Sequence, residues 1–166
     1  MDTDSPDQYP ILLQALGSLV VRFSALEEFI RDVIMIASGS RDAAVPILTS
    51  RLPFKTLVEK FGAVCLEFGP VYGSPQDIKQ FCSLLDKIND DRNELMHSVW
   101  PSEPSDAPYI RYKMSADRKK GLMMNVREVS ADEVNAIVAR MVAAEAKLLE
   151  IAMRPIKPED VQGDNL

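Results

Sequence analysis

The feature that most restricts the fold is a run of apolar residues at steps of three and four positions, which extends from Tyr9 to about Ala37. Such spacing places apolar side chains on one side of an α-helix, whose turn takes about 3.6 residues. Pro10 suits the first turn of a helix, and Gly39 follows the run as a stop signal. The apolar positions are Leu12, Leu16, Leu19, Phe23, Leu26, Ile30, Val33 and Ile34. The run therefore predicts a long amphipathic helix.

Three later segments repeat this helical spacing. We expect helices over residues 53–68, from 75 to about 97 and from 131 to about 153, with a short helix or turn over 40–50. Pro46 is expected to interrupt the short segment. Ser74 and Pro75 form a typical helix start. Residues 130–133 match a capping box, in which a serine and a glutamate side chain satisfy two free amides.

Between the last two helices, β-branched and aromatic residues predict a hairpin. Residues 109–115 and 122–129 have the composition of strands around a turn at 116–121, and residues 99–100 are a candidate third strand. The expected fold class is mainly α. It is an antiparallel four-helix-type bundle with a small β-hairpin inserted before the last helix.

The composition is that of an ordinary globular chain, with 46% apolar and 27% charged residues. A length of 166 residues allows one domain to bury a core without disulfides or metals. We expect this domain over residues 9–153, between a disordered segment at 1–8 and a flexible tail at 154–166. The net charge of −6 argues against general affinity for polyanions and leaves room for a local basic site.

Cysteine spacing and hydropathy argue against several other classes of protein. Cys65 and Cys82 lie in apolar helical patterns without metal-ligand spacing, so we expect reduced core thiols and no metal site or disulfide scaffold. The first seven residues do not resemble a signal peptide, and no uncharged apolar run reaches about 18 residues. We therefore expect a cytoplasmic protein with no membrane segment, metal or cofactor.

The segment from Arg92 to His97 contains the chain's one histidine, near the end of the third long helix. Residues 90–93 interrupt the apolar stripe of that helix with polar side chains, which packing alone does not require. Asn93 lies one turn before His97, where it can orient the imidazole or contact a ligand. A neutral imidazole can take the proton of an RNA 2′-hydroxyl, while a long guanidinium side chain stabilises the charge on the attacked phosphate.

Arg-Asn-x-x-x-His late in a helix, followed by Trp100, resembles the R-x(4–6)-H motif of HEPN domains. Residues 23–27 are also similar to small bacterial relatives, and the resemblance covers most of the chain. HEPN proteins are small helical bundles, and many are metal-independent endoribonucleases of toxin–antitoxin, phage-defence and CRISPR systems. The resemblance implies that His97 acts as general base or acid, that Arg92 holds phosphate and that Asn93 orients the imidazole.

The resemblance also implies partners and a product. It implies a homodimer in which two motifs face one cleft, with RNA as substrate and a 2′,3′-cyclic phosphate as product. An antitoxin or regulatory protein is a further expected partner. Ser98 departs from the family pattern, which usually has glycine there, and this changes the helix end without removing a catalytic group. Because some HEPN domains are non-catalytic, a dimeric interaction or RNA-binding module is the alternative function.

A simpler interpretation of the motif stays open. A histidine near a helix C-terminus interacts favourably with the helix dipole, and Arg92 can be held by an acidic neighbour. These neighbours are Asp90, Asp91 and Glu94. Glu27 is a weaker site candidate, which can pair with Arg92, assist proton transfer or only lie at the edge of the core.

The predicted hairpin collects basic residues within an acidic chain. Its substrate-binding candidates are Lys113, Arg118, Lys119, Lys120 and Tyr112, with Arg111 and Arg127 nearby. The cations can follow a phosphate backbone while a tyrosine stacks on a base, which is typical of a nucleic-acid-binding regulator. Alternatively, the charges only keep an edge strand from pairing with other chains.

Overall fold

The computed structural model describes residues 8–38, 44–67, 73–100, 109–117 and 121–153. Our predictions for residues 1–7, for Gly39 and for the tail at 154–166 fall outside these ranges. The elements are, in chain order, α1 (Gln8–Ala37), α2 (Ala44–Thr49), α3 (Phe54–Glu67), α4 (Pro75–Met96), β1 (Tyr109–Asp117), β2 (Gly121–Val129) and α5 (Ala131–Ala152). The predicted fold class, a mainly α bundle with a hairpin before its last helix, is confirmed.

Helix α1 is the central element of the bundle. It packs most extensively against α5 and next against α3, which in turn packs against α4. Its predicted apolar stripe is buried, apart from Leu16, which is half-buried. The fully buried side chains include Leu19, Leu26, Ile30, Leu57, Leu85, Ile88, Met141 and Leu148. A single hydrophobic core therefore receives side chains from α1, α3, α4 and α5.

Two details of the predicted helices need correction. Pro46 lies in the first turn of α2, where a helix does not need the amide, so it does not interrupt that element. Met96 belongs to the predicted apolar stripe of α4 but is 38% exposed. It is the last residue of the helix, and in this final turn Leu95 is the side chain that is buried in the core.

Two of the long helices begin with a serine cap. Ser74 Oγ accepts from the Asp77 amide at 3.2 Å and the Asp77 carboxylate accepts from the Ser74 amide at 3.2 Å, which forms a capping box. At the start of α5, Ser130 Oγ accepts from the Glu133 amide at 3.2 Å. The Glu133 carboxylate accepts from Arg127 Nη2 at 2.5 Å instead of completing the predicted box.

Strands β1 and β2 pair antiparallel, with Tyr112 opposite Val126. Val99 adds one bridge to this sheet. The Val99 amide donates to the Tyr112 carbonyl at 2.8 Å, and the Tyr112 amide donates to the Val99 carbonyl at 3.1 Å. The third strand predicted at 99–100 is thus reduced to a single bridge. Gly121 begins β2 with φ of 74°, a left-handed conformation that favours glycine. The bridge between Val99 and Tyr112 joins the hairpin to the segment just after α4.

Among the described helices, one has the length and composition of a membrane span. Tyr9–Ala37 reaches a mean hydropathy of 1.4 in an 18-residue window, of which 28% is buried in the bundle. Core helices of water-soluble proteins and N-terminal signal sequences meet the same criterion. In this structure the segment forms α1, whose stripe supplies the centre of the core.

Cys65 of α3 and Cys82 of α4 are free thiols, as predicted. Burial, with a smaller effect of neighbouring Cys82, raises the pKa of Cys65 to about 12. Burial, with a smaller effect of Asp86, raises the pKa of Cys82 to about 11. A Cβ atom on Gly62 would lie 3.0 Å from Cys82 Sγ, so glycine allows α3 to approach α4 closely. Both thiols are therefore neutral packing groups at physiological pH.

Asp91 joins α4 to α5 through charge. Its carboxylate accepts from Lys87 Nζ at 2.8 Å and from Arg140 Nη2 at 2.6 Å. Burial acts to raise the pKa of Asp91, but the hydrogen bonds from these two cations together outweigh it and hold the pKa below its ordinary value of 3.8. The ionised carboxylate therefore stabilises the folded bundle.

Replacing Asp91 by asparagine is expected to lower the free energy of unfolding by about 1–2 kcal/mol at pH 7. A carboxyl group with a lowered pKa contributes stability above its unfolded value and loses it as the pH falls through the folded value. The difference between the wild-type protein and Asp91→Asn should therefore shrink below pH 3.8 in urea unfolding curves. Asp32→Asn, at an exposed residue of α1, is the control and should leave stability unchanged. A difference that stays constant down to pH 2 would contradict the ionic contribution.

Candidate functional site

Arg92 lies within the core stripe of α4. It follows Ile88 by four residues and precedes Leu95 by three, so the three side chains share one face of the helix. The guanidinium carbon of Arg92 is 4.8 Å from the centroid of the Phe23 ring, which makes a cation–π contact with α1. The side chain is half-buried and is held between two helices.

The guanidinium of Arg92 is only partly hydrogen-bonded. Its Nη1 donates to Asn93 Oδ1 at 2.8 Å, and Asn93 Nδ2 donates in turn to Asn89 Oδ1 at 3.2 Å. Its Nε is buried without a hydrogen-bond partner among the described residues. An unsatisfied donor on a partly buried cation is unfavourable, so the guanidinium of Arg92 is incompletely compensated within the described residues.

The carboxylates predicted to hold Arg92 do not pair with it in the described part of the chain. Asp91 pairs with Lys87 and Arg140, Glu94 with Arg111, and Glu27 with Arg31 at 4.0 Å, while Asp90 is exposed. The open alternative, in which one of these acids holds Arg92, is therefore not seen among the described residues. The physical reason is that each engaged acid has a different cation nearby.

His97 is the C-cap residue of α4. Its amide donates to the Asn93 carbonyl at 3.1 Å, which continues the helical pattern to this position. Its side chain is exposed, with no hydrogen bond or ion pair to the residues that the structure describes. Five residues correspond to a rotation of about 140° around a helix, so Arg92 and His97 leave α4 in different directions. Helix geometry therefore does not place the two predicted catalytic groups on the same face of α4.

Sequence reasoning missed the structural role of Arg111. Its side chain is 0% exposed, and its Nη2 forms an ion pair with Glu94 Oε1. Its Nη1 donates to Ser98 Oγ at 3.1 Å, whereas its Nε has no partner among the described residues. Arg111 therefore fastens β1 to the end of α4, next to His97.

Two further side chains fix the residues around His97. Ser98 Oγ donates to the Glu94 carbonyl at 2.5 Å, and Trp100 Nε1 donates to the Leu95 carbonyl at 3.2 Å. These carbonyls belong to the last turn of the helix, where carbonyls lack partners within the helix, and that of Leu95 also accepts from the Ser98 amide at 3.3 Å. The hydroxyl of Ser98 therefore satisfies a helix carbonyl as well as Arg111.

The described part of the hairpin does not present a continuous basic surface. Arg111 is buried, Arg127 is paired with Glu133, and both Lys113 and Tyr112 are half-buried. The remaining candidates, Arg118, Lys119 and Lys120, lie outside the described residues. Within the described strands, two of the cations predicted near a phosphate track thus serve to hold the hairpin on α4 and α5.

A cleft of about 370 Å³ lies between α4, α5 and the base of the hairpin. Its walls carry three cations and three carboxylates, from Lys87, Arg127, Arg140, Asp91, Glu94 and Glu133. These charges already take part in ion pairs. Arg92 and His97 do not line this cleft, so it does not correspond to the predicted catalytic site.

Among the described residues, no three His, Cys, Asp or Glu side chains come together as potential metal ligands. Comparisons with protein-family models, with curated proteins and with solved structures give no match to this chain. The half-buried guanidinium of Arg92 and the exposed imidazole of His97 are therefore the groups from which a function can be inferred.

Proposed function

We propose that the protein is a metal-independent endoribonuclease of the HEPN type that acts as a cytoplasmic homodimer. It cleaves RNA by attack of a 2′-hydroxyl on the adjacent phosphate, which gives a 2′,3′-cyclic phosphate and a 5′-hydroxyl. The resemblance of the Arg92-Asn93-x-x-x-His97 motif to HEPN proteins favours a role in toxin–antitoxin or phage-defence systems.

The observation that carries this proposal is that the half-buried guanidinium of Arg92 pairs with no carboxylate among the described residues. Placing a cation in an apolar stripe costs free energy unless a partner compensates it. Arg92 has the face of Phe23 and one oxygen of Asn93 as partners, and no carboxylate among the described residues. The phosphate of an RNA substrate would supply the missing negative charge and accept from the free donors.

His97 supplies the proton transfers in this proposal. Its neutral imidazole takes the proton of the 2′-hydroxyl as the oxygen attacks phosphorus, and an imidazolium returns a proton to the leaving 5′-oxygen. Arg92 stabilises the charge on the phosphate in the transition state. Because Arg92 and His97 leave α4 in different directions, each site needs groups from two copies related by a two-fold axis.

The test is incubation of the purified protein with mixed-sequence RNA in excess chelator. We expect fragments ending in 2′,3′-cyclic phosphate, and no cleavage of DNA of the same sequence, which lacks the attacking hydroxyl. His97→Ala should lower the cleavage rate by about 100- to 1,000-fold. Since His97 is exposed, its removal should leave the thermal unfolding midpoint unchanged. Intact RNA at every enzyme concentration, or equal cleavage by His97→Ala, would refute the proposal.

The second candidate is a non-catalytic dimeric interaction or RNA-binding module. It is favoured by the exposed side chain of His97, which no described residue orients by a hydrogen bond. This candidate predicts that RNA stays intact, while a protein partner of the antitoxin type or unprocessed RNA binds. The product analysis above separates the two candidates.

A further inference from the structure

The hairpin turns its apolar face away from the bundle. Alternate residues of a strand point to opposite sides, and on β1 and β2 the side with Arg111 and Val129 is buried at the base of the hairpin, whereas Met123 and Asn125 farther along the same side are exposed. The opposite side carries Ile110, Met114, Leu122, Met124 and Val126, which are 45–69% exposed.

The outward apolar face extends to the end of α4. Directly paired residues lie on the same side of a sheet, so Val99, Tyr112 and Val126 form one row across it. Val99 is itself 48% exposed. Since Val99 follows His97 by two residues, the border of the apolar face lies next to the predicted catalytic imidazole.

The size of this outer face is sufficient for a specific contact. Six large apolar side chains at about half to two-thirds exposure present a patch on the order of 500 Å², which is at the upper range for a monomeric protein. Two such patches in contact bury about 1,000 Å², the lower limit for a specific protein interface. Methionine side chains also adapt their shape to an opposing apolar surface.

The chemistry of the outer face favours a second copy of the same chain. Glu128 is the only carboxylate on this side among the described strand residues, no lysine or arginine lies there, and Glu128 is at the end near the bundle. Two copies of the central apolar part therefore meet without opposed like charges, and a two-fold axis lets one surface pair with itself. A phosphate-rich partner would find no cation on this side of the described strands.

We propose that two copies of this chain associate through the outer faces of their hairpins, around a two-fold axis. The stacked sheets exclude water from Met114, Leu122, Met124 and Val126 of both copies and bring the two ends of α4 to the border of the interface. The inference rests on the proposed function in one respect, that the dimer is the form that cleaves RNA. The association itself is independent of cleavage.

The experiment compares two adjacent methionines on opposite sides of β2 by sedimentation velocity. The wild-type protein should sediment at twice the 18.5 kDa chain mass. Met124→Asp puts a charge on each copy within the apolar contact and should raise the dissociation constant by at least about 100-fold. Met123→Asp, at an exposed residue on the other side, is the matched control and should remain a dimer. Leu122→Asp is the second disrupting variant, and helical circular dichroism should be retained in all three.

The possible results separate this inference from the proposed activity. A monomeric wild-type protein, a Met124→Asp variant that stays dimeric, or equal weakening by Met123→Asp overturns the hairpin interface. A monomeric protein that binds phosphatidylcholine vesicles through Met124 also overturns it and assigns the face to lipid. A dimer that Met124→Asp disrupts supports the interface even when RNA stays intact, in which case only the proposed activity fails.

Discussion

Arg92→Ala is expected to reduce kcat/KM for RNA cleavage by about 1,000-fold. The guanidinium is the cation that the proposal assigns to the phosphate, and it pairs with no carboxylate among the described residues. The same substitution removes the contact with the Phe23 ring, which contributes about 1 kcal/mol to stability. Cleavage kinetics should therefore be measured at a temperature where urea unfolding shows the variant to be folded.

Arg92→Lys separates the catalytic effect from the structural one. Lysine keeps the charge and much of the apolar stem but lacks the planar fork that binds phosphate through two parallel hydrogen bonds. We expect it to retain most of the stability and to recover only a small part of the cleavage. Full recovery by Arg92→Lys would contradict a role that depends on the guanidinium geometry.

Arg22→Ala is the matched control for the Arg92 variants. Arg22 precedes Phe23 on α1, its side chain is 51% exposed, and it pairs with Glu145 at 3.3 Å. Its replacement removes one positive charge from the same region of the bundle without changing the Arg92 contact. Cleavage within two-fold of wild type is expected, and a loss as large as that of Arg92→Ala would mean that net charge alone drives RNA binding.

The largest expected effect on stability comes from Glu94→Gln, with a loss of about 3 kcal/mol in the free energy of unfolding. The substitution leaves the guanidinium of Arg111 charged at a site that is 0% exposed. The Glu94 side chain is 42% exposed, so water can partly compensate and the loss falls at the low end for such pairs. Urea unfolding followed by circular dichroism measures the difference.

Two controls test whether the buried guanidinium causes that loss. Glu28→Gln makes the same change at a residue that is 69% exposed and pairs with Arg31, so its effect should stay within about 0.5 kcal/mol. Combining Glu94→Gln with Arg111→Met removes both charges and should be less destabilising than the sum of the two single variants. Equal losses for Glu28→Gln and Glu94→Gln, or strict additivity, would contradict the explanation.

The helices could be predicted from sequence because their signals are local. Side chains such as Leu19, Leu26 and Ile30 recur at helical spacing, and Ser74 and Ser130 are typical N-cap residues. The core position of Arg92 was also visible in principle, because it continues the spacing of Leu85 and Ile88. The prediction treated it as a polar interruption and so missed its contact with α1.

The orientation of the hairpin could not be predicted in this way. Alternation along β1 and β2 identifies two sides, and the usual rule buries the apolar one. Here the side with Arg111 faces inward because Glu94 and Ser98, at the end of α4, supply its partners. Contacts between residues this far apart in sequence do not follow from local pattern. Of the cations that form the possible phosphate track, Arg111 is buried and pairs with Glu94, and Arg127 pairs with Glu133.

The contacts between β1 and α4 also affect how readily the last turn of that helix frays. Helix ends normally fray, because their final carbonyls lack partners. Fraying at Leu95 would break the bond from Trp100, and movement at Glu94 would leave the buried charge of Arg111 uncompensated. The end of α4 and the base of the hairpin are therefore expected to open together. His97 lies in this segment, so its backbone should fray less than the backbone at a helix end that contacts no other element.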